Sequence, residues 1–164
     1  MNIQNERHCL DPVQRIPTAD AMRGLGRTLA RLLRSGDLVI LAGPLGAGKT
    51  TLVQGIGAGL GVRGPVTSPT FVIARVHPPL AGPGPSLVHA DAYRLGSVAE
   101  VDDLDLDTAG AVTVVEWGKG LAEGLAADRL EISIEPDPPG PDGSDGGART
   151  VRIAAYGDRW KDPG

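Results

Sequence analysis

The stretch Gly43-Pro44-Leu45-Gly46-Ala47-Gly48-Lys49-Thr50 constrains this chain more than any other part of it. It satisfies G-x-x-x-x-G-K-[ST], and its context gives the pattern meaning. A short apolar run, Asp37 to Ala42 (DLVILA), precedes it, and a segment of helical character from about Lys49 to Leu60 follows it. The apolar run has the length of a buried parallel strand. Glycines allow successive backbone N–H groups to turn inward around a phosphate without a clash at Cβ. The N-terminus of the helix adds unpaired donors and a favourable dipole. In such a loop Lys49 reaches the β- and γ-phosphates, Thr50 offers its hydroxyl to Mg2+, and Thr51 lies near the α-phosphate. Gly43, Leu45, Gly46, Ala47 and Gly48 form the cradle itself.

The rest of the chain supplies an α/β domain around this unit. Residues 18–34 read as an amphipathic helix, with Met22, Leu25, Leu29, Leu32 and Leu33 at three- and four-residue spacing. Thr18 can cap its start and Ser35-Gly36 can end it. The helix after the loop carries Gly55, Gly57 and Gly59, each costing up to about 1 kcal/mol against alanine. Close packing against the sheet is the expected compensation. Thr70 to Val76 and Leu87 to Asp91 read as strands joined by the turn-rich HPPLAGPGPS, a plausible hairpin. Ser97-Val98-Ala99-Glu100 has the capping-box pattern and predicts a short helix. Ala111 to Glu116 (AVTVVE) reads as another buried strand, and residues 119–127 as a short helix. Arg129 to Glu135 and Thr150 to Tyr156 alternate as half-exposed antiparallel strands do. The expectation is one domain over 18–157, with 136–148 as a flexible loop, 1–17 as an N-terminal segment and 158–164 as a frayed tail. The fold class is a three-layer P-loop NTPase sandwich whose mixed sheet has a parallel centre and antiparallel additions.

Composition narrows the function classes. A length of 164 residues favours a single core. Phe71, Tyr93, Trp117, Tyr156 and Trp160 are the only aromatics, so Leu, Val, Ile and Ala must fill the interior. The single cysteine, Cys9, excludes an internal disulfide framework and reads as a spare thiol in a mobile N-terminus. No run approaches the roughly 18 apolar residues of a membrane span. The first residues lack the apolar stretch of a signal peptide, so a cytoplasmic protein is expected. The net charge of −4 argues against a surface that grips nucleic acid directly.

A phosphate loop needs an acidic partner at the end of a neighbouring strand. Asp91, closing LVHAD, and Glu116, closing AVTVVE, both end apolar runs whose C-terminal edge would lie near the phosphates. Together they imply a division of labour, one acid for Mg2+ and one for the attacking water. Two further patterns are decoys. Asp107-Thr108-Ala109-Gly110 matches D-x-x-G but follows no clean strand, and no N-K-x-D accompanies it. Gly59-Leu60-Gly61-Val62-Arg63-Gly64 spells a dinucleotide fingerprint but lies at a helix end, where it reads as a C-cap and loop.

Four motifs occur in order: residues 43–51, Ser68-Pro69-Thr70-Phe71, His89-Ala90-Asp91-Ala92-Tyr93-Arg94-Leu95, and Glu116-Trp117. From about residue 18 to 135 the chain resembles the bacterial TsaE (YjeE) family, the ATPase component of tRNA threonylcarbamoyladenosine synthesis. The resemblance implies ATP and Mg2+ as ligands, with Lys49 and Thr50 holding the triphosphate and the metal. It implies that Asp91 is the Mg2+-associated acid and Glu116 the acid of hydrolysis. Thr70 then falls in a switch-like segment sensing the γ-phosphate, and Trp117 lies beside the nucleotide or packs half-buried near it. The family's proline is replaced by Ala126-Ala127, which affects one loop only.

The activity implied is hydrolysis of ATP, weak in isolation and dependent on partners. Those partners are the TsaD and TsaB proteins, which transfer the threonylcarbamoyl group to the adenosine beside the anticodon. Contact with tRNA would be indirect. Arg94 is the best intrinsic candidate for an arginine finger, although surface pairing or docking suits it better. A small-molecule P-loop kinase would share the phosphate site but would need an Arg-rich lid, which this chain lacks. A nucleotide-switched binding module without hydrolysis would bind partners in an ATP-dependent way and release no phosphate.

Overall fold

In the computed structural model the described residues are 7–44, 46–62, 64, 66, 74–82, 84–91, 110–116, 127–138, 141 and 147–161. Among them the apolar runs become strands β1 (Val13–Ile16), β2 (Leu38–Ala42), β3 (Ala74–His77), β4 (Ser86–Asp91), β5 (Ala111–Glu116), β6 (Arg129–Pro136) and β7 (Arg149–Tyr156). Two helices accompany them, α1 (Ala19–Leu32) and α2 (Lys49–Leu60). The strands form one sheet in the order β1-β7-β6-β2-β5-β4-β3. Strands β6, β2, β5 and β4 run parallel, whereas β7, β1 and β3 join antiparallel. The mixed sheet is the one expected, with its parallel centre and antiparallel additions, except that β6, expected as an antiparallel strand, runs parallel to β2 and antiparallel only to β7. The helix expected around residues 97–100 lies outside the described residues, as do all but the last residue of the one expected over 119–127 and the start of the strand expected from Thr70.

Local chemistry accounts for the two helices. The Thr18 hydroxyl accepts a hydrogen bond from the Ala21 N–H at 3.0 Å and caps α1, as the sequence predicts. Met22, Leu25 and Leu29 point from α1 into the core, where they meet Leu52, Val53 and Ile56 of α2. Beneath the helices lie Val39 and Leu41 of β2, Val112 and Val114 of β5, and Leu130, Ile132 and Ile134 of β6. Each fully buried aliphatic side chain in this cluster contributes about 1.5–3 kcal/mol. The opposite face of the central strands is buried too, with Leu38, Ile40, Val88 and Val115 at most 2% exposed. Burial on both faces explains why β2 and β5 read as unbroken apolar runs.

The glycines of α2 are compensated differently from the expectation. Only Gly57 faces the sheet side, where an added Cβ would lie 2.9 Å from Val66 Cγ2 and 3.5 Å from Leu87 Cδ2. Gly55 and Gly59, one turn apart, face α1 instead. A Cβ on Gly55 would collide with the Arg23 carbonyl oxygen, and one on Gly59 would lie 2.5 Å from Ala30 Cβ. From α1, Gly26 answers in kind: its Cβ would collide with the Leu52 carbonyl. Small residues thus let the two helix backbones touch. The Gly59–Gly64 stretch is the C-cap anticipated, with Gly61 left-handed at φ 73° and donating to Ala58 O at 3.2 Å.

The described segments 7–16 and 157–161 are held more firmly than the sequence implied. Val13–Ile16 adds an edge strand to β7, and Cys9 is buried in the core at 6% exposure rather than lying in a mobile arm. Arg15 donates to Asp137 at 2.9 Å, as does the Thr150 hydroxyl at 2.9 Å, and these bonds hold the Asp137 carboxyl below its usual range. At the other end Asp158–Trp160 forms a 3-10 turn instead of fraying. Arg159 donates to Leu32 O at 2.6 Å and pairs with buried Asp37 at 3.2 Å, while Trp160 is buried. Four-residue segments carry too little periodicity to announce such pairing. An open sheet edge and a waiting carboxylate supply it.

Candidate functional site

The strand β2, the loop after it and the first turn of α2 form one continuous device. β2 lies between β5 and β6, so its C-terminal end opens at the middle of the parallel sheet. Gly48 precedes α2 with φ 111°, a left-handed conformation that bends the loop back so that the helix N-terminus faces into it. At Gly43 the backbone passes so close to β6 that a Cβ would collide with the Ile134 carbonyl. The first turn of α2 has no side-chain cap and no acidic residue, so its N–H donors are left to an anion.

Lys49 completes the cradle. Its Nζ donates to Gly43 O at 2.5 Å and to Pro44 O at 3.1 Å, which folds the side chain over the mouth of the loop. The residue is only 6% exposed. A buried ammonium held by carbonyl dipoles at a helix N-terminus suits a multiply charged anion. Gly46, Ala47, Gly48, Thr50 and Thr51 follow the loop as the sequence anticipated, whereas Leu45 lies outside the described residues.

Arg149, the first residue of β7, was not singled out from the sequence. Its guanidinium donates to Ala47 O at 3.1 Å, to Ala148 O at 3.0 Å and, more distantly, to Gly46 O at 3.5 Å. It therefore ties the loop to the edge of the sheet. With Thr18, Met22, Thr51 and Gly147 it lines a cavity directly beside the loop. No local pattern marks this arginine, because the β6–β7 register that places it opposite Pro136 is a tertiary property. Arg149→Ala is expected to weaken nucleotide affinity about tenfold, the effect of losing roughly 1.4 kcal/mol of loop anchoring. Calorimetric titration with an ATP analogue checks this, and unchanged affinity would remove Arg149 from the site.

The two acids stand at the same edge. Asp91 and Glu116 are register partners at the C-terminal ends of β4 and β5, and Glu116 is also paired with Leu41 of β2, two residues before the loop. Glu116 is 3% exposed, and its Oε1 has no hydrogen-bond partner among the described residues. An unsatisfied buried carboxylate oxygen at this edge fits a role toward a ligand or its metal. Of Asp91 only the backbone position is described. Thr70 and Trp117 lie outside the described residues, as do Arg94 and Asp107 of the other patterns. Among the described residues no three His, Cys, Asp or Glu side chains cluster as a ready metal centre. No helix among them is long and apolar enough to cross a membrane.

Known proteins resemble this chain in sequence and in fold. The family model for "Threonylcarbamoyl adenosine biosynthesis protein TsaE" matches residues 16–140. The chain is 60% identical over 142 residues to the tRNA threonylcarbamoyladenosine biosynthesis protein TsaE of Streptomyces coelicolor, covering 85% of this chain and 93% of that one. The protein of the same name from Bacillus subtilis is 34% identical over 142 residues, covering 85% of this chain and 82% of the other. Among solved structures, Bacillus subtilis YdiB superposes with a TM-score of 0.68 at 28% identity, over 90% of this chain and 87% of that one.

Proposed function

Because the chain belongs to the TsaE family of threonylcarbamoyl adenosine biosynthesis proteins, we propose that it is the ATP-binding and ATP-hydrolysing subunit of that synthesis. In this reading it works in the cytoplasm on the TsaD–TsaB pair, which threonylcarbamoylates the adenosine beside the tRNA anticodon. The observation that carries the reading is Lys49 Nζ folded over the glycine loop at the uncapped start of α2. A net charge of −4 suits a subunit that meets tRNA only through its partners.

The residues divide the work as follows. Backbone N–H groups of the loop and of the α2 N-terminus bind the phosphates, and Lys49 offsets charge on their β- and γ-oxygens. The cavity beside Thr51 and Arg149 receives the nucleoside. Thr50 and Asp91 would hold Mg2+, which when bound would supply positive charge against the triphosphate. Glu116 orients the attacking water. The water oxygen bonds to the γ-phosphorus, the bridging P–O bond to ADP breaks, and the water proton moves toward the Glu116 carboxylate.

Phosphate release from ATP by the purified protein, alone and with TsaD–TsaB, tests the proposal. A slow basal rate that rises with the pair is expected. Glu116→Gln should lower that rate about 10²–10⁴-fold while nucleotide still binds. A rate indifferent to the pair would remove the partner role. Transfer of the γ-phosphate to a small alcohol or nucleoside would instead make the protein a kinase.

A further inference from the structure

Among the described residues the apolar helix-facing side of β4 and β5 is interrupted by a buried histidine and, at the strand end, by Glu116. His89 on β4 is wholly buried, and neither ring nitrogen has a hydrogen-bond partner among the described residues. Leaving a polar side chain buried and unpaired costs about 1–3 kcal/mol, so such a residue calls for an explanation. A polar neighbour on β5 is also short of partners among the described residues. His89 Nε2 lies 3.6 Å from Glu116 Oε1, the oxygen that also lacks one. The register explains the meeting. His89 pairs with Val114 and Asp91 with Glu116, so His89 sits one step behind Glu116 on the same face, at diagonal reach.

A separation of 3.6 Å is just beyond a hydrogen bond. Contacts of this kind are commonly long before substrate binds and tighten in the reacting complex. We propose that His89 is a positioning residue for Glu116: its Nε2–H donates to Oε1 and so fixes which carboxylate oxygen is turned toward the attacking water. The role depends on the N–H donor rather than on the ring's charge. It rests on the reading of Glu116 as the water-orienting acid, and the experiment separates the two.

Single-turnover hydrolysis of Mg2+–ATP would be measured for H89N, H89Q, E116Q and the H89N/E116Q double variant, with nucleotide affinity measured in parallel. An asparagine amide occupies the place of Nδ1 and falls short of Glu116, whereas a glutamine amide reaches the place of Nε2. H89N should lower kcat on the order of 10–100-fold, the effect of a misaimed group, and leave KM and nucleotide affinity unchanged. H89Q should recover most of that rate. H89N should add nothing in the E116Q background, because the two residues act as a unit. Normal hydrolysis by E116Q would overturn the reading of Glu116 and this proposal with it. Impaired E116Q together with full kcat in H89N, equal loss in H89N and H89Q, or multiplying effects in the double variant would overturn the role of His89 alone. A second measurement does not depend on the His89 variants folding. The His89 Nε2 resonance in long-range 1H–15N spectra should move on E116Q substitution, and an unmoved resonance would overturn the contact.

Discussion

Lys49→Ala is expected to remove measurable nucleotide binding while the protein stays folded. The Nζ group now bonds Gly43 O and Pro44 O across the loop, so it sits where a triphosphate would meet the α2 N-terminus. Two charge-assisted hydrogen bonds contribute roughly 3–5 kcal/mol together, which corresponds to a loss of affinity from about a hundredfold to several thousandfold. The two loop carbonyls lose a donor but lie at the rim, where water can replace it; Gly43 is half-buried and Pro44 exposed. Thermal unfolding with and without an ATP analogue reads both effects at once. The unaltered protein should gain stability with ligand as binding to the native state requires, and the variant should gain none. Normal ligand-induced stabilisation of Lys49→Ala would show that the phosphates bind elsewhere.

Gly55→Ala is expected to destabilise the domain, although alanine is the better helix former. The propensity gain is about 1 kcal/mol. Against it stands the Arg23 carbonyl of α1, into which the new Cβ would run, with Arg23 C and Cα both at 2.9 Å. These are backbone atoms and cannot rotate aside, so the helices must separate and loosen the contacts of Met22, Leu25, Leu52 and Ile56. Overpacking of this kind costs about 1–3 kcal/mol and occasionally more; a collision with backbone this close belongs at the upper end, so after the propensity gain a net loss of about 2 kcal/mol is expected. For a domain of this size that lowers Tm by about 4–8 °C. Gly24→Ala is the matched control. Its Cβ would meet nothing nearer than Arg27 Nη2 at 3.8 Å, so the same exchange there should stabilise. Equal Tm changes for the two variants would refute the close approach of α1 and α2. Separation would also reach the site, since α2 begins at Lys49.

The strand, loop and helix around Lys49 were legible because their chemistry is local. The left-handed backbone at Gly48, the uncapped first turn of α2 and the apolar run of β2 are each written in a few adjacent residues. Glu116 was legible for a related reason. A carboxylate closing a fully buried strand stands out against the five buried positions before it. What His89 touches was not legible, because the contact depends on how β4 and β5 are staggered. The glycines of α2 were read as facing the sheet, yet two of three face α1, since the angle at which the helices cross decides which side is crowded.

Taken alone, the amino-acid order determined where a strand would turn through a glycine loop into a helix, which strands are buried on both faces, and which acid ends beside the loop. Each of these follows from backbone conformations and burial patterns spanning fewer than about ten residues, the range over which periodicity is decisive. Tertiary structure alone decided that Arg149 would grip the loop across 102 positions of sequence, that Arg159 would return to Asp37 across 122, and that His89 would lie behind Glu116. Such contacts arise from strand order and register, and those are set by the packing of the whole core rather than by any residue's neighbours in the chain.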